Sequence, residues 1–466
     1  MKSFSGLISI IGTLFLCATL AAQTVKPITG ADERFKADIL VVVAHPDDEG
    51  AVTPYLARAI YDLHKRVAVV YGTHGDSGGN NYGREHAAGL GDIREMEARE
   101  SCARMGIKNV WFLDGKDTAS QNVLNSLANW HHGASLERLV ELVRLTRPDV
   151  IITSLPGIFI GENHGDHQAA GVLATEAFDL AGNVVAFPSQ IAGASEHREI
   201  YLQNLQAWQV KKIYYWADAN DDKQFSGTGP TYSIKEVSPT KKKPYWRIAL
   251  DAATTHLTQY PADIERIQKM SDAEAEKMMS DPDAAWWTEP ETLIFGKSYN
   301  VTKATDDVFA NLEGEPNRCP ELSAKVQRPS AAATIKLGGP WGFYQSFREA
   351  HCLGSLHVAN PPEIAVMAGA QVYVPLTIAH ANGKAFKLQL KVEAPKGWKV
   401  SGGEGEFALP AETTTELRVE IETPILTASE LKASGAQEIV VHALADGVPA
   451  GDFKMRVQLR SHGLPQ

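Results

Sequence analysis

Between Ile39 and Thr153 the chain alternates four short runs rich in β-branched residues with three amphipathic stretches. The runs Ile39 to Ala44, Val67 to Tyr71, Val110 to Leu113 and Val150 to Thr153 carry almost no polar residue, so each predicts a strand buried on both faces. Thr53 to Lys65, Asp92 to Met105 with Gly106 as C-cap, and Leu136 to Leu145 ahead of Pro148 predict the intervening helices. Strands joined by helical crossovers run parallel, so the chain is expected to fold as α/β, an open and mostly parallel sheet with helices on both faces. In such sheets the functional groups gather on loops at the carboxyl ends of the strands.

Two clusters lie at those ends. Ala44-His45-Pro46-Asp47-Asp48-Glu49 follows the first strand directly, and Asn163-His164-Gly165-Asp166-His167 follows the fourth and opens the apolar stretch Ala169 to Ala181. Imidazole nitrogen and carboxylate oxygen both bind zinc at about 2 Å, so His45 and Asp48, three residues apart on a tight turn, can converge on one cation. A catalytic zinc takes three protein ligands and keeps one open position, and one histidine of the second cluster completes the set. Spacing alone does not say which. Asp47, between two ligand candidates, is placed to face the attacking water as general base. Each cluster also admits a plain structural reading, with Asp47, Asp48 or Asp166 capping the helix that follows. Their shared edge of the sheet favours the metal.

The two motifs resemble those of the LmbE-like, or PIG-L, family of zinc-dependent deacetylases, whose mark is A-H-P-D-D-E early and H-x-D-H later. The resemblance covers roughly residues 36 to 300. It implies a Rossmann-like catalytic domain that removes N-acetyl groups from N-acetylglucosamine-type sugars, with Zn2+ bound by His45, Asp48 and His167. It further implies Asp47 as general base, and His164, supported by Asp166, assisting the tetrahedral intermediate and the leaving amine. Arg94, in Arg94-Glu95-Met96-Glu97, is by the same resemblance a substrate contact; read from the residues alone, it is equally a surface arginine paired with Glu97 on one helix face. Thr255-His256-Leu257-Thr258-Gln259 is also family-like, but His256 reads as a packed helix histidine outside the core site. Gly165 stands where the family commonly has proline, and the insertions after Gly182 put substrate identity in doubt.

The rest of the chain is read more coarsely. At 466 residues it exceeds one compact domain. Residues 1–22, apolar from Leu7 to Leu20 and ending in Ala21-Ala22, have the layout of a secretory signal peptide too short for a comfortable membrane span. A secreted or periplasmic protein without a stable span after processing is therefore expected. Val210 to Trp216 predicts a further strand and Ile248 to Ile264 a helix interrupted near Pro261, within a catalytic domain at 23–312. Residues 313–356, rich in Pro, Gly, Ser and Ala, read as a linker or extension, where Cys319 and Cys352 could pair; Cys102 reads as a buried free thiol. Within residues 357–466, short runs such as Ala365 to Ile378, Lys387 to Glu393, Thr414 to Ile421 and Glu438 to Ala443 predict a β-sandwich, which resembles the Ig-like sandwiches appended to secreted glycosidases.

A formal charge of −11 without long acidic runs argues against a nucleic-acid partner. No G-x-G-x-x-G follows the first strand, which sets aside a nicotinamide enzyme. Two rivals remain: a zinc amidohydrolase acting on non-sugar N-acyl substrates, and a catalytically silent carbohydrate-binding protein. Oligomeric state is not legible in the sequence.

Overall fold

The computed structural model describes residues 31–157, 164–191, 200–202, 205–217, 225–226, 229–278, 287, 289–299, 307–313, 333–354, 356–358, 361–380, 384–411 and 414–461. The segment read as a signal peptide and Cys319 lie outside them. Among the described residues no helix is long and apolar enough to cross a membrane.

The first unit is built on a six-stranded sheet. Its strands are β1 (Ile39–Val43), β2 (Val67–Thr73), β3 (Asn109–Gly115), β4 (Val150–Ser154), β5 (Lys212–Trp216) and β6 (Ile294–Ser298), in the spatial order β3-β2-β1-β4-β5-β6. The first five pair in parallel, and β6 closes the edge antiparallel to β5. Successive side chains of β1 enter opposite layers. Leu40 and Val42 join one apolar cluster with the helices α3 (Val123–Asn129), α4 (His132–Thr146) and α5 (Gly165–Leu180). Ile39, Val41 and Val43 join the other, with α1 (Thr53–Tyr61), α2 (Ala88–Met105) and α6 (Tyr245–Ala253). A strand buried on both sides has no polar face to show, hence its unbroken apolar run. Each fully buried Val, Leu or Ile contributes about 1.5–3 kcal/mol.

The order reverses between β1 and β4, whose following loops leave in opposite directions and open a crevice at the carboxyl edge. Into it run the two sequence clusters. Helix α5 lies close against the end of β4: a Cβ on Gly171 would stand 2.2 Å from the Ser154 carbonyl oxygen, so only glycine permits the approach.

The helix expected over Ile248 to Ile264 with an interruption near Pro261 is two, α6 and Pro261–Gln268, separated by turns at residues 254–260. Three β-branched threonines, Thr254, Thr255 and Thr258, and the start at Pro261 favour the break there. Two other expectations are corrected. The stretch read as a linker or extension is no plain linker: it contains a strand, Ala333–Leu337, and a helix, Gly339–Ala350. Phe347, Leu353 and Leu356 from this stretch pack into the α3–α4–α5 layer. The single run expected over Ala365 to Ile378 is two strands in different sheets, Glu363–Met367 and Gln371–His380, because Gly369 turns the chain with φ 84°.

The second unit consists of two sheets sharing one core. Four strands, led by Ala333–Leu337 beside Gln371–His380, form one sheet; five form the other, with Glu363–Met367 on its edge beside Val448–Arg460. Val374, Leu376 and Val419 from the first meet Leu388, Val441 and Val457 from the second. Cys352 is disulfide-bonded, and Cys102 is a buried free thiol.

Candidate metal centre

β1 delivers Ala44 and His45 into the crevice, and the chain then turns sharply. Asp47 has φ 123°, a region that costs an L-residue backbone energy and that persists where surrounding contacts enforce it. Asp48 opens a short 3-10 helix leading into α1. Neither carboxylate caps that helix: Asp47 makes no capping hydrogen bond, and Asp48 Oδ2 turns back to accept from the amides of Ala44 and His45 at 3.1 and 2.7 Å. Asp48 thereby faces the imidazoles. Its Oδ2 lies 3.3 Å from His45 Nδ1 and its Oδ1 lies 3.1 Å from His167 Nε2.

The structure brings His45, His164 and His167 together, with ring centroids 4.9–5.2 Å apart and one nitrogen of each within 4.8 Å of the others. The three imidazoles form a group that could hold a metal ion, and Asp48 lies beside it, meeting His45 and His167 through different oxygens. His164 Nδ1 is buried without a hydrogen-bond partner among the described residues. Nitrogens removed from water without partners are costly unless something fills the role, and a metal ion does. The donor set therefore fits a divalent metal.

His45 Nε2 points the other way, 3.3 Å from Asp117 Oδ1 and 3.5 Å from Asp166 Oδ2. These three residues also form a group able to hold a cation. The simpler use of the two carboxylates is to orient the ring and make its other nitrogen a better ligand, as carboxylates commonly do behind metal-bound histidines. Asp117, 6% exposed and just beyond β3, also accepts from the Ser77 amide at 2.8 Å. Asp166, fully buried, accepts from the Thr118 amide at 2.9 Å.

Charge in the crevice is strongly perturbed. Burial pushes the Asp47 carboxyl up, and the neighbouring Asp48 carboxylate pushes it further, to about 7, against the pull of His256 and a hydrogen bond from Tyr260. Burial alone would raise Asp48 too, but His167 and His45 outweigh it and hold Asp48 well below the usual carboxylate range. Burial works against a charged His45, yet Asp48, Asp117 and Asp166 prevail and raise it. His164 is pushed down to about 4 by burial and by its two imidazole neighbours.

Four participants went unread in the sequence. Glu49 is buried, its Oε1 accepting from Ser101 Oγ at 2.7 Å and lying 2.9 Å from His256 Nε2, while Oε2 accepts from the Asp47 amide at 3.1 Å. His256 is thus no ordinary packed histidine: from the turn after α6 it braces the peptide of Asp47 through Glu49. Tyr260 Oη donates to Asp47 Oδ2 at 2.6 Å. Asp117 is the fourth. Their signal was the Thr255–Gln259 stretch and a carboxylate at a strand's carboxyl end. Arg94 is not the surface arginine paired with Glu97 that the residues alone allowed: it is 6% exposed, and its guanidinium donates to the carbonyls of Gly75 and Gly79 at 2.7 and 2.8 Å, anchoring the loop after β2.

Fold and site together define an α/β protein with a histidine–carboxylate group that could hold a metal ion at the point where the strand order reverses. Residues 40–178 match the family described as PIG-L: GlcNAc-PI de-N-acetylase. A 1D-myo-inositol 2-acetamido-2-deoxy-alpha-D-glucopyranoside deacetylase 1 from Frankia alni is 31% identical over 188 residues, which are 37% of this chain and 59% of that protein. The chain thus spans under two thirds of that relative's length. A deacetylase of the corresponding name from Thermobifida fusca is 25% identical over 249 residues, 47% of this chain and 82% of the relative. Among solved structures, N,N'-diacetylchitobiose deacetylase from Pyrococcus horikoshii is similar at 19% identity over 56% of this chain and 84% of that one, with a TM-score of 0.39.

Proposed function

We propose that this protein is a secreted or periplasmic zinc-dependent N-deacetylase acting on N-acetylglucosamine-type sugars or glycoconjugates. The observation that carries the reading is geometric: the Asp47 carboxylate, held by Tyr260, stands beside His45, Asp48 and His167, which face one another in the crevice. A general base works best with a pKa near the working pH.

Zinc bound by those three residues would supply a Lewis acid that polarises the acetamide carbonyl and acidifies water. Asp47 accepts a proton as water adds to the carbonyl carbon. Tyr260 and the Glu49–His256 brace hold it in place while it does so. His164, kept neutral by its surroundings, donates a hydrogen bond to the developing oxyanion. The proton held by Asp47 then passes to the departing amine, leaving acetate and a free amino sugar. Asp166 and Asp117 keep His45 oriented throughout. The carboxyl-terminal sandwich is read here as Ig-like.

The test is acetate release from a panel of acetylated amino sugars, with and without chelator. Release is expected to vanish on chelation and return with added Zn2+. Preference for acyl-peptides over sugars would overturn the substrate assignment, and a purified protein that holds no divalent ion would overturn the hydrolytic reading altogether.

A further inference from the structure

The sheet edge of the sandwich carries an unusual attachment. Glu363–Met367 is the outer strand of its sheet, paired on one side only, so the backbone groups on its open side would otherwise face water. At Ala365 they do not. Gln121 Nε2 donates to the Ala365 carbonyl at 2.8 Å, and the Ala365 amide donates to Gln121 Oε1 at 2.9 Å. One side-chain amide thus imitates the edge of a neighbouring strand and satisfies both groups at once.

Gln121 belongs to the loop between β3 and α3, and the same loop reaches the metal centre through three other residues. Asp117 lies against His45 Nε2, the Thr118 amide donates to Asp166, and the Ser120 carbonyl accepts from the Gly165 amide at 2.6 Å. The last bond explains glycine at 165. Proline has no N–H to give, and a Cβ there would stand 2.8–3.0 Å from Ser126 Oγ, the Ser120 carbonyl oxygen and Asn122. The residue that departs from the family's usual proline is the one that ties α5, with His167 in its first turn, to this loop.

We propose that the sandwich positions the metal centre, with Gln121 as the positioning residue: the edge strand holds the 116–122 loop, and the loop holds both the carboxylates behind His45 and the start of α5. This rests on the deacetylase reading for its catalytic consequence and on geometry alone for its structural one.

The experiment compares full-length parent and Gln121→Ala by amide hydrogen exchange and by kinetics on an N-acetylglucosamine derivative. Exchange at Thr118 and Gly165 is expected to quicken about tenfold in the variant while the amides of α4 hold steady. On the catalytic side kcat is expected to fall about tenfold with KM and bound zinc unchanged, since small misplacements of reacting groups cost rate steeply. Ala365→Pro, which deletes the donor from the sandwich side, is expected to reproduce both effects, and the double variant to add nothing to either. Unchanged exchange at Thr118 and Gly165 overturns the proposal, as does quickened exchange with an unaltered kcat. If the parent itself releases no acetate, the deacetylase reading fails, and the exchange data still decide whether the sandwich holds the loop.

Discussion

The α/β unit and the β-sandwich treat charge in opposite ways. Glu49, Arg94, Asp117, Glu141, Arg144, Asp166, Lys212 and Glu291 are all buried in the former. In the sandwich, Thr423 is the one buried polar residue among those described. There Phe386, Leu388 and Leu390 point inward, while Lys387, Gln389 and Lys391 between them stay in water. Burying an ionisable group costs free energy unless partners compensate it. Of the buried charges in the α/β unit, Glu49, Asp117 and Asp166 gather in the crevice around His45 and Asp47, and these are the ones held for a use, whereas Arg144 and Lys212 bond carbonyls away from it.

The sharpest way to break that contrast is at Asp47. Asp47→Asn keeps the shape and tolerates the unusual backbone angle but cannot accept a proton. Turnover is expected to fall by about 10²–10⁴-fold, while zinc content, measured on the purified protein, stays at the parent level because Asp47 is not among the ligands. Retained turnover would mean that the perturbed carboxyl is a by-product of burial.

The sandwich should answer differently. Leu388→Ala removes a fully buried side chain from its core and is expected to cost about 2–5 kcal/mol in denaturant unfolding of that unit. Bound zinc should remain at the parent level. Loss of metal would show that the two units share more than the Gln121 attachment and the helix packed on the first layer.

The same contrast separates what was legible in the sequence from what was not. Parallel strands and their helices announce themselves by local periodicity, and β1 to β4 were readable within a residue or two. The two motifs were readable because each lies at a strand's end, so topology alone brings them together. Asp117 was hidden because Gly115-Lys116-Asp117-Thr118 looks like any turn, and only the fold sets it beside His45. His256 was hidden because the helical run ends at Ala253, eight residues before the interruption that Pro261 announced. Asp166 stands two residues from His164, and residues so spaced at a helix start leave in different directions; the structure places it against Thr118 and His45. Ala333–Leu337 was lost in a stretch whose composition suggested no fold, since a five-residue strand needs its partner to be recognised.

The smallest effect probes how finely the α/β unit tunes its charges. Tyr260 Oη donates to Asp47 and favours the ionised carboxylate, opposing burial and Asp48, which favour the protonated acid. Tyr260→Phe removes the donor, so the Asp47 pKa must rise relative to the parent. Only the ionised form accepts a proton, so activity increases with pH through that pKa, and the rising limb of the rate–pH profile is expected to move to higher pH. At neutral pH the rate falls by about three- to tenfold, the net worth of one hydrogen bond from an exposed phenol being about 0.5–1.5 kcal/mol. At high pH the two profiles converge. Tyr373→Phe offers the contrast: that hydroxyl donates to Gln371 on the sandwich surface at 2.8 Å, and its removal should leave the profile where it was. A limb that moves to lower pH, or a high-pH plateau that collapses in Tyr260→Phe, would show that the hydroxyl acts on substrate instead of on the base.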